Sequence, residues 1–369
     1  MVDGNPAEQP RWMDEALRLA ALGDYGTSPN PMVGAVVVKD GRPVGRGYHR
    51  RAGEAHAEVL ALDQAGDLAR GAELWVTLEP CCTQGRTGPC TARIIESGVA
   101  RVNAAMIDPN PAVSGRGVEV LRAAGIEVAL GAAAEAAQRL VETYAVWVST
   151  GLPFLTLKLA MSLDGRVATA SGRSKWITSE AAREEGHRLR HAHDVILVGS
   201  QTVLADDPVL TNRSPGEGRR QPLRVVLDGR LRTPPDARML REPGGAVLIF
   251  TTSGGRMDRR LALERAGAEV VEVPQSEGSP SIREVLRRLA GRGVTSVLVE
   301  GGPTVLASLF AERLGNRIVS FMAPTVIGGK DAPGPFGGIG AATPDAGWHW
   351  HFGEVERIGA DLKVTAEVA

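Results

Sequence analysis

The sequence predicts two α/β domains, and three observations lead to this prediction. The 369 residues exceed what one ordinary hydrophobic core needs, and about 150 residues per domain suggests two of them. Apolar runs of strand length alternate with helical segments, as in layered α/β folds. The segment Gly151-Leu152-Pro153 interrupts this alternation and is suited to a hinge. We therefore predict domains at residues 1–150 and 151–369.

The first domain is expected to begin with a helix and a hairpin. Apolar residues at helical spacing from Trp12 predict an amphipathic helix that stops at Gly23. A buried strand over 32–38 leads into Asp40-Gly41, a pair that favours a tight hairpin turn, and a second strand ends near Tyr48. The remaining expected elements are strand 74–78, helix 91–97, strand 102–107, helix 118–124, strand 126–130 and helix 132–148.

The second domain repeats the alternation of strands and helices. Strands are predicted at 154–159, 194–198, 224–227, 247–250, 269–273 and 296–299, and helices at 179–192, 281–290 and 305–314. Residues 199–208 are expected to form a loop at the carboxyl end of a strand, where open α/β sheets bind ligands. Ser281 and Glu284 have the spacing of a capping box. Gly301-Gly302 lies at a strand-to-helix turn that suits a phosphate but is also common as a plain turn.

One imidazole and two thiols form the clearest chemical motif in the chain. His56, Cys81 and Cys90 are a ligand set for a tetrahedral Zn²⁺ with one position open to water. Glu58 is the candidate proton shuttle. Because residues two apart point about 200° away from each other on a helix, His56 and Glu58 are predicted to lie in its first turn.

The positions of the two thiols predict their ionisation state, and a third cysteine leaves open a structural zinc site. Cys81 and Cys90 each precede a segment with helical character, and a helix N-terminus favours the thiolate form. A structural zinc site with Cys82 as fourth ligand remains an alternative. The carboxylate of Glu58 argues against it, because a purely structural site has no use for that group.

Composition excludes several classes of partner. The net charge is −1 and aromatic residues make up 4%, which argues against a polynucleotide partner. The chain has three Cys, at least two of which are needed as thiolates, and this favours a reducing compartment and argues against a disulfide framework. The N-terminal residues lack the apolar segment of a signal peptide, and we find no stretch of about 20 apolar residues that suits a membrane. We expect a cytoplasmic homo-oligomer that acts on a small molecule.

The segment from Pro80 to Cys90 resembles the long zinc loop of the bifunctional deaminase/reductase family of riboflavin biosynthesis. Thr83 and Gly88 stand where that family usually has His and Pro. Ser28-Pro29-Asn30-Pro31-x-Val33-Gly34 and Gly47-Tyr48-His49 also match its pattern. The resemblance implies a cytidine deaminase-like three-layer fold. It also implies substrate contacts by Asn30, His49 and Arg86, although from the residues alone Asn30 suits a turn and His49 a cap or a surface position.

The second half of the chain resembles the reductase of the same family, which has a dihydrofolate reductase-like α/β fold. The matching segments are 158–165, Trp176-Ile177-Thr178, 202–213 and Glu300-Gly301-Gly302-Pro303-Thr304. The implied NADPH contacts are Ala160, Trp176, Thr202, Asp206, Gly302, Pro303, Thr304, Val305, Leu306, Ala307 and Ser308. The implied substrate contacts are Lys158, Ser174, Arg190, Leu210, Arg213 and Glu300. Lys158, Asp206 and Glu300 are the candidates for proton handling.

The resemblance implies two consecutive reactions on a pyrimidine ribosyl phosphate, a zinc-dependent deamination and then an NADPH-dependent reduction of the ribose to a ribityl chain. Two alternatives stay open. The first is a zinc deaminase of another free base or nucleoside, with a second domain that only binds a nucleotide. The second is a zinc-stabilised binding module without catalytic activity.

Overall fold

The computed structural model describes residues 9–84, 88–214 and 220–368. The chain divides into two compact units at the junction between Leu152 and Pro153. Each unit has its own sheet and its own hydrophobic clusters. Within the described residues, no helix combines the length and the apolar character that a membrane span requires.

The first unit contains a five-stranded sheet with strand order β2-β1-β3-β4-β5. The strands are β1 (Gly34–Lys39), β2 (Arg42–Tyr48), β3 (Glu73–Val76), β4 (Arg101–Ala104) and β5 (Glu127–Leu130). The helices are α1 (Gln9–Ala21), α2 (Ala57–Ala65), α3 (Cys90–Ser97), α4 (Arg116–Ala123) and α5 (Ala134–Thr150). Strand β1 is antiparallel to both β2 and β3, whereas β3, β4 and β5 are parallel. The expected hairpin is present, and Asp40 and Gly41 have φ of 49° and 70°, as a two-residue turn of this type requires.

Helices cover both faces of this sheet, which confirms the three-layer prediction. On one face Met13 of α1 and Ala137 of α5 pack against Val36 and Trp75. On the other face α2, α3 and α4 pack against the alternate residues of β1 and β3. Residues that alternate along a strand point to opposite faces, so both faces of β1 are apolar and buried.

The second unit contains a nine-stranded sheet with strand order β10-β9-β8-β7-β13-β6-β14-β16-β15. The strands of this sheet are β6 (Phe154–Ser162), β7 (Val195–Gly199), β8 (Leu223–Leu227), β9 (Val247–Thr251), β10 (Ala268–Glu272), β13 (Ser296–Val299), β14 (Arg317–Ala323), β15 (Trp350–Ile358) and β16 (Asp361–Val368). Two further strands, β11 (Gln275–Ser276) and β12 (Ser279–Pro280), form a separate two-stranded sheet. Its helices are α6 (Glu180–Ala192), α7 (Ser200–Asp206), α8 (Arg238–Arg241), α9 (Met257–Arg265), α10 (Ile282–Ala290) and α11 (Pro303–Ala311). In the strand order given above, every neighbouring pair from β10 through β14 is parallel. The pairs β14–β16 and β16–β15 are antiparallel.

The structure corrects three expectations for the second half. Residues 200–206 were expected to lie in a loop, but they form helix α7, which follows β7 directly. The capping box is absent, because the Ser281 side chain makes no cap hydrogen bond and Glu284 instead pairs with Arg288 at 2.8 Å. Strands β14, β15 and β16 were not predicted, and they add three members to one side of the sheet.

Candidate active sites

The three predicted metal ligands come from separate elements of the first unit. His56 is the residue before α2, and its extended backbone (φ −74°, ψ 163°) places it at the helix start. Cys90 is the first residue of α3. Cys81 lies in the loop after β3, so the expectation of a helix directly after Cys81 was wrong. The prediction for Cys90 and for the first turn that holds His56 and Glu58 is confirmed.

The distances within this cluster suit a tetrahedral ion. Nδ1 of His56 lies 3.2 Å from Sγ of Cys90 and 3.6 Å from Sγ of Cys81. Zinc bonded to nitrogen at about 2.0 Å and to sulfur at about 2.3 Å separates two such ligands by about 3.5 Å in a tetrahedron. All the candidate ligand atoms lie within 4.8 Å of one another, and Cys82 is not a member of the cluster among the described residues. The donor set therefore fits a zinc ion.

The environment of the cluster favours a thiolate at Cys81 and a protonated thiol at Cys90. A hydrogen bond from the Cys90 thiol lowers the pKa of Cys81 to about 4, helped by His56 and by the Cys90 backbone N–H at 3.3 Å. The pKa of the Cys90 thiol is raised, because its proton is shared with the Cys81 thiolate and because it is buried. Cys81 and Cys90 would both bind a divalent cation as thiolates, because the cation would take the place of the proton that they share.

Glu58 lies in the first turn of α2 and is 4% exposed. Burial raises the pKa of Glu58, and the neighbouring Cys81 raises it further. The side chain lines a pocket of about 50 Å³ together with His56, Cys81 and His49. A buried carboxyl group with a raised pKa beside a metal cluster is suited to accept and return protons.

Two buried acids in the wall of this pocket were not predicted as site residues. Glu79 Oε2 accepts hydrogen bonds from the backbone N–H of Asp108 at 3.0 Å and of Gly115 at 2.9 Å, while Oε1 accepts from Val118 at 3.1 Å. Burial raises the pKa of Asp108 to about 6, and its carboxylate accepts from Tyr144 at 3.1 Å. The sequence contained one signal, because Asp108 follows β4 at the carboxyl end of a parallel strand, where ligands bind.

Of the proposed substrate contacts in the first unit, His49 lies beside the cluster of His56, Cys81 and Cys90, and Asn30 contacts His49. Asn30 Nδ2 lies 3.0 Å from Nε2 of His49, and Nδ1 of His49 lies 3.2 Å from the Ala55 carbonyl. Burial lowers the pKa of His49, and its ring contacts the His56 ring edge-on at 5.1 Å. The neutral ring with its proton on Nδ1 satisfies both contacts. Arg86 lies outside the described residues.

Three predicted residues of the second unit form a buried ionic cluster. Arg190 holds both oxygens of Glu300, with Nε to Oε1 at 2.6 Å and Nη2 to Oε2 at 2.8 Å. Burial would raise the pKa of Glu300, but the charge of Arg190 outweighs it and lowers the value to about 2. Lys158 lies beside this pair with its ammonium 5.8 Å from the centre of the Phe321 ring, and burial lowers its pKa against the charge of Glu300. Sequence spacing alone does not bring these positions together.

Two other predicted substrate residues occupy the segment after α7. Arg213 lies against His187, with guanidinium nitrogens 3.2 to 3.3 Å from Nε2. Burial lowers the pKa of His187 to about 4, helped by the charges of Arg190 and Arg213. Leu210 has φ of 56° and its side chain belongs to a hydrophobic cluster, so only its backbone is available to a ligand. Ser174 is half-buried in the loop before α6.

The proposed cofactor segments meet at two strand ends. Gly302 precedes α11, and a Cβ added to it would lie 3.8 Å from Oγ1 of Thr202 in α7. A Cβ on Gly301 would come within 2.7 Å of Val305, so that position requires glycine. Asp206 ends α7 and pairs with Lys175 at 3.5 Å, while Trp176 is 71% exposed beneath Arg183. Ala160 lies in β6, and residues 303–308 are the first turns of α11.

These folds and sites define a two-unit enzyme that joins a deaminase-type zinc domain to a reductase domain. Residues 6–106 match the cytidine and deoxycytidylate deaminase zinc-binding region, and residues 153–364 match the RibD C-terminal domain. The riboflavin biosynthesis protein RibD of Bacillus amyloliquefaciens is 44% identical over 355 residues, covering 96% of this chain and 95% of that protein. The Escherichia coli protein of the same name is 40% identical over 362 residues, covering 95% and 97%.

Solved structures agree with these sequence matches. RibD of Acinetobacter baumannii superposes with a TM-score of 0.89 at 37% identity, covering 98% of this chain and 99% of that one. A Thermotoga maritima protein, described as a diaminohydroxyphosphoribosylaminopyrimidine deaminase/5-amino-6-(5-phosphoribosylamino)uracil reductase, gives a TM-score of 0.85 at 36% identity, with coverage of 98% and 99%. The chain belongs to the RibD family of bifunctional riboflavin-biosynthesis enzymes.

Proposed function

We propose that the first unit deaminates 2,5-diamino-6-(5-phosphoribosylamino)pyrimidin-4-one and that the second unit reduces the ribosyl chain of the product with NADPH. The observation that carries the proposal is the cluster of His56, Cys81 and Cys90 with Glu58 in the same pocket wall. The substrate named in the description of the Thermotoga maritima relative supports the choice of pyrimidine. Two units with separate cores suit two separate chemical steps.

His56, Cys81 and Cys90 would hold the zinc ion. When bound, zinc supplies a Lewis acid that makes water a nucleophile at neutral pH. Glu58 would accept a proton from the attacking water at a carboxylate oxygen and would deliver it to the ring nitrogen next to the attacked carbon. The carboxylate would then take the proton of the hydroxyl group added to the ring carbon and pass it to the departing amine, so that a carbonyl forms, the carbon–nitrogen bond breaks and ammonia leaves. A raised pKa suits Glu58 to both transfers.

Substrate orientation in the first unit is assigned to Asn30 and His49. Their hydrogen bond at 3.0 Å and the contact of His49 with the Ala55 carbonyl set both side chains before a ligand arrives. Side chains ordered in advance lose less conformational entropy on binding. Arg86 is proposed to bind the substrate phosphate, because a guanidinium offers two parallel donors to one phosphate.

In the second unit NADPH supplies the hydride, and α11 and α7 are the proposed cofactor elements. The Gly301-Gly302 turn opens α11, and the first N–H groups of a helix suit an anionic phosphate. Ala160, Trp176, Thr202, Asp206 and the segment 302–308 are the proposed contacts. Lys158 is the candidate to hold a proton near the reacting carbon, with Asp206 as a second, whereas Arg190 keeps Glu300 ionised and so argues against the third candidate. Ser174, Arg190, Leu210 and Arg213 would orient the ribosyl phosphate.

One incubation separates the two reactions. The purified protein is mixed with the diaminopyrimidinone substrate, with and without NADPH, and ammonia and NADPH absorbance are followed separately. We expect ammonia in both mixtures and NADPH consumption after ammonia release begins. A parallel incubation replaces this substrate with another free base or nucleoside. Ammonia release from that compound, without NADPH consumption, would favour the alternative of a deaminase joined to a nucleotide-binding domain. Replacing NADPH by NADH tests the cofactor preference in the same assay.

The cellular setting is also a proposal. All three cysteines are unpaired thiols, and a site that needs thiolate ligands favours a reducing compartment such as the cytoplasm. A homo-oligomer is predicted as well, and light scattering of the purified protein measures its mass.

A further inference from the structure

We propose that Asp164 is a positioning residue for the reductase, acting through a glycine-rich strap that it fixes against the first turn of α11. The strap is defined as residues 325–337, the segment that leaves β14. The inference rests on the proposed function only in taking α11 as a cofactor element. It concerns a motif, Leu163-Asp164-Gly165, to which no role has been assigned so far.

The two segments start side by side. Strands β6 and β14 are parallel neighbours, and their last residues, Ser162 and Ala323, are register partners. The turn after β6 and the strap after β14 therefore leave the same edge of the sheet, which is the carboxyl edge where open α/β sheets bind ligands. Ala160, a proposed cofactor contact, lies two residues before the turn.

Asp164 holds the start of the strap with both carboxylate oxygens. Oδ1 accepts a hydrogen bond from the Ile327 N–H at 3.0 Å, and Oδ2 accepts from the Gly328 N–H at 2.8 Å. The Ser162 hydroxyl donates to Oδ1 at 2.6 Å and fixes the carboxylate, because Ser162 is itself fully buried. These bonds, that from Ser162 first, lower the pKa of Asp164 to about 2. The carboxylate is therefore ionised near neutral pH.

The rest of the turn holds the middle of the strap. Arg166 donates from Nη1 to the Ala332 carbonyl at 2.7 Å, and the Val167 N–H donates to the Pro333 carbonyl at 3.0 Å. The Leu163 N–H donates to the Thr325 carbonyl at 2.8 Å. The strap is thus attached along most of its length to one turn of the chain.

The far end of the strap reaches α11. The Gly337 N–H donates to the Pro303 carbonyl at 3.0 Å, and Phe336 packs edge-on against Phe310 at 6.4 Å. A Cβ on Gly337 would lie 3.2 Å from that carbonyl oxygen, so only glycine allows this approach without displacement. Pro303 is the first residue of α11. Asp164 is therefore connected, through the strap, to the helix turn proposed to bind the cofactor phosphate.

The test compares Asp164→Asn with Asp331→Asn in the full-length enzyme. An asparagine keeps the size of the side chain, but its amide nitrogen cannot accept a backbone N–H. Asp331 is a matched control, because it lies in the same strap and its side chain is 73% exposed. For Asp164→Asn we expect the KM for NADPH to rise about tenfold or more, with kcat changed far less, since a charge-assisted bond is lost. Asp331→Asn should resemble the parent, and deamination should be unchanged in both.

A second measurement does not depend on activity. Lys330 lies in the strap with its side chain 91% exposed, and it is one of five lysines in the sequence. Cleavage after Lys330 by a lysine-specific protease reports local opening of the strap. Because Asp331 follows the cleaved bond and pairs with Lys330, the parent is the reference here. We expect faster cleavage in Asp164→Asn than in the parent, and slower cleavage of the parent when NADPH is added.

The outcomes are distinguishable. An unchanged KM for NADPH in Asp164→Asn, or a cleavage rate in this variant equal to that of the parent, would overturn the role of Asp164. If Asp164→Asn loses deamination as well, Gly337→Ala tests the same connection from the α11 end and should raise the KM for NADPH. A parent enzyme that never consumes NADPH refutes the proposed reductase function instead, while the cleavage comparison still decides whether Asp164 fixes the strap.

Discussion

Nδ1 of His56 lies 3.2 Å from the sulfur of Cys90, although 34 residues separate them in the chain. The contact exists because both residues stand at helix starts, His56 before α2 and Cys90 at the beginning of α3. Both helices pack on the same face of the first sheet. The cluster of candidate ligands therefore arises from the way two helices pack on one sheet, and its capacity to bind metal can be tested separately from catalysis.

The first prediction concerns metal content. Cys90→Ser should reduce bound zinc from about one to well below one per chain, because a hydroxyl is a poor replacement for a thiolate. Cys82→Ser is the matched control, since Cys82 is adjacent to a ligand but is not a member of the cluster. Zinc is measured by atomic emission after dialysis. Loss of zinc in Cys82→Ser would mean that the site is closed by a fourth protein ligand.

The second prediction isolates the proton shuttle. Glu58→Gln should lower the rate of deamination by about 10²-fold or more, because an amide cannot carry the proton. Zinc content and NADPH consumption on the deaminated product should stay at parent levels. Glu96→Gln is the control, because that side chain is 75% exposed. A Glu58→Gln enzyme with unchanged ammonia release would rule out the assigned role.

The third prediction concerns the buried pair of Arg190 and Glu300. Arg190→Met should destabilise the second unit by about 3–5 kcal/mol, because it leaves a buried carboxylate without its partner. Arg256→Met is the comparison, since its pair with Asp258 is exposed and such pairs contribute about 0–1 kcal/mol. Urea unfolding followed by hydrogen exchange distinguishes peptides of the two units.

A double variant checks the cause of that loss. Arg190→Met with Glu300→Leu removes both charges, and it should be more stable than Arg190→Met alone. An equal loss in the single and the double variant would show that packing, rather than the unpaired charge, explains the effect.

The fourth prediction is a pH dependence of stability. Burial lowers the pKa of His193 to about 4, while its ring accepts from the Thr156 hydroxyl and binds the Leu189 carbonyl. The unfolded chain takes up a proton near pH 6.5, so stability present above that pH is lost as the pH falls toward 4. The expected loss from this residue between pH 7.5 and 5 is about 2 kcal/mol.

His193→Gln removes this titration. Its stability should decline less than that of the parent over the same pH range, as measured by urea unfolding at both values. His351→Gln, which replaces an exposed histidine in β15, should follow the parent. If His193→Gln and the parent lose stability equally, His193 does not titrate with a lowered pKa.

Much of the architecture followed from local patterns. The alternation of apolar runs and helical segments located the strands of the first sheet and most parallel strands of the second, because side-chain periodicity is a local property. The spacing of His56 and Glu58 was sufficient to place both in a first helical turn. Helix α7 and the absent capping box show where local patterns were misleading, since Ser281 and Glu284 find other environments in the folded chain.

The sequence by itself singled out the residues proposed to bind zinc and to carry the proton, and it predicted the two-unit α/β organisation, because these depend on residue type and short spacing. Only the tertiary structure decided that Glu79 and Asp108 line the pocket beside His56 and Cys81 and that Arg190 holds Glu300 across 110 residues. It also decided that β14, β15 and β16 complete the second sheet and that Asp164 fixes the strap. Such relationships depend on which strand ends meet at one edge of a sheet, and strand order is set by packing over the whole unit rather than by neighbours in the chain.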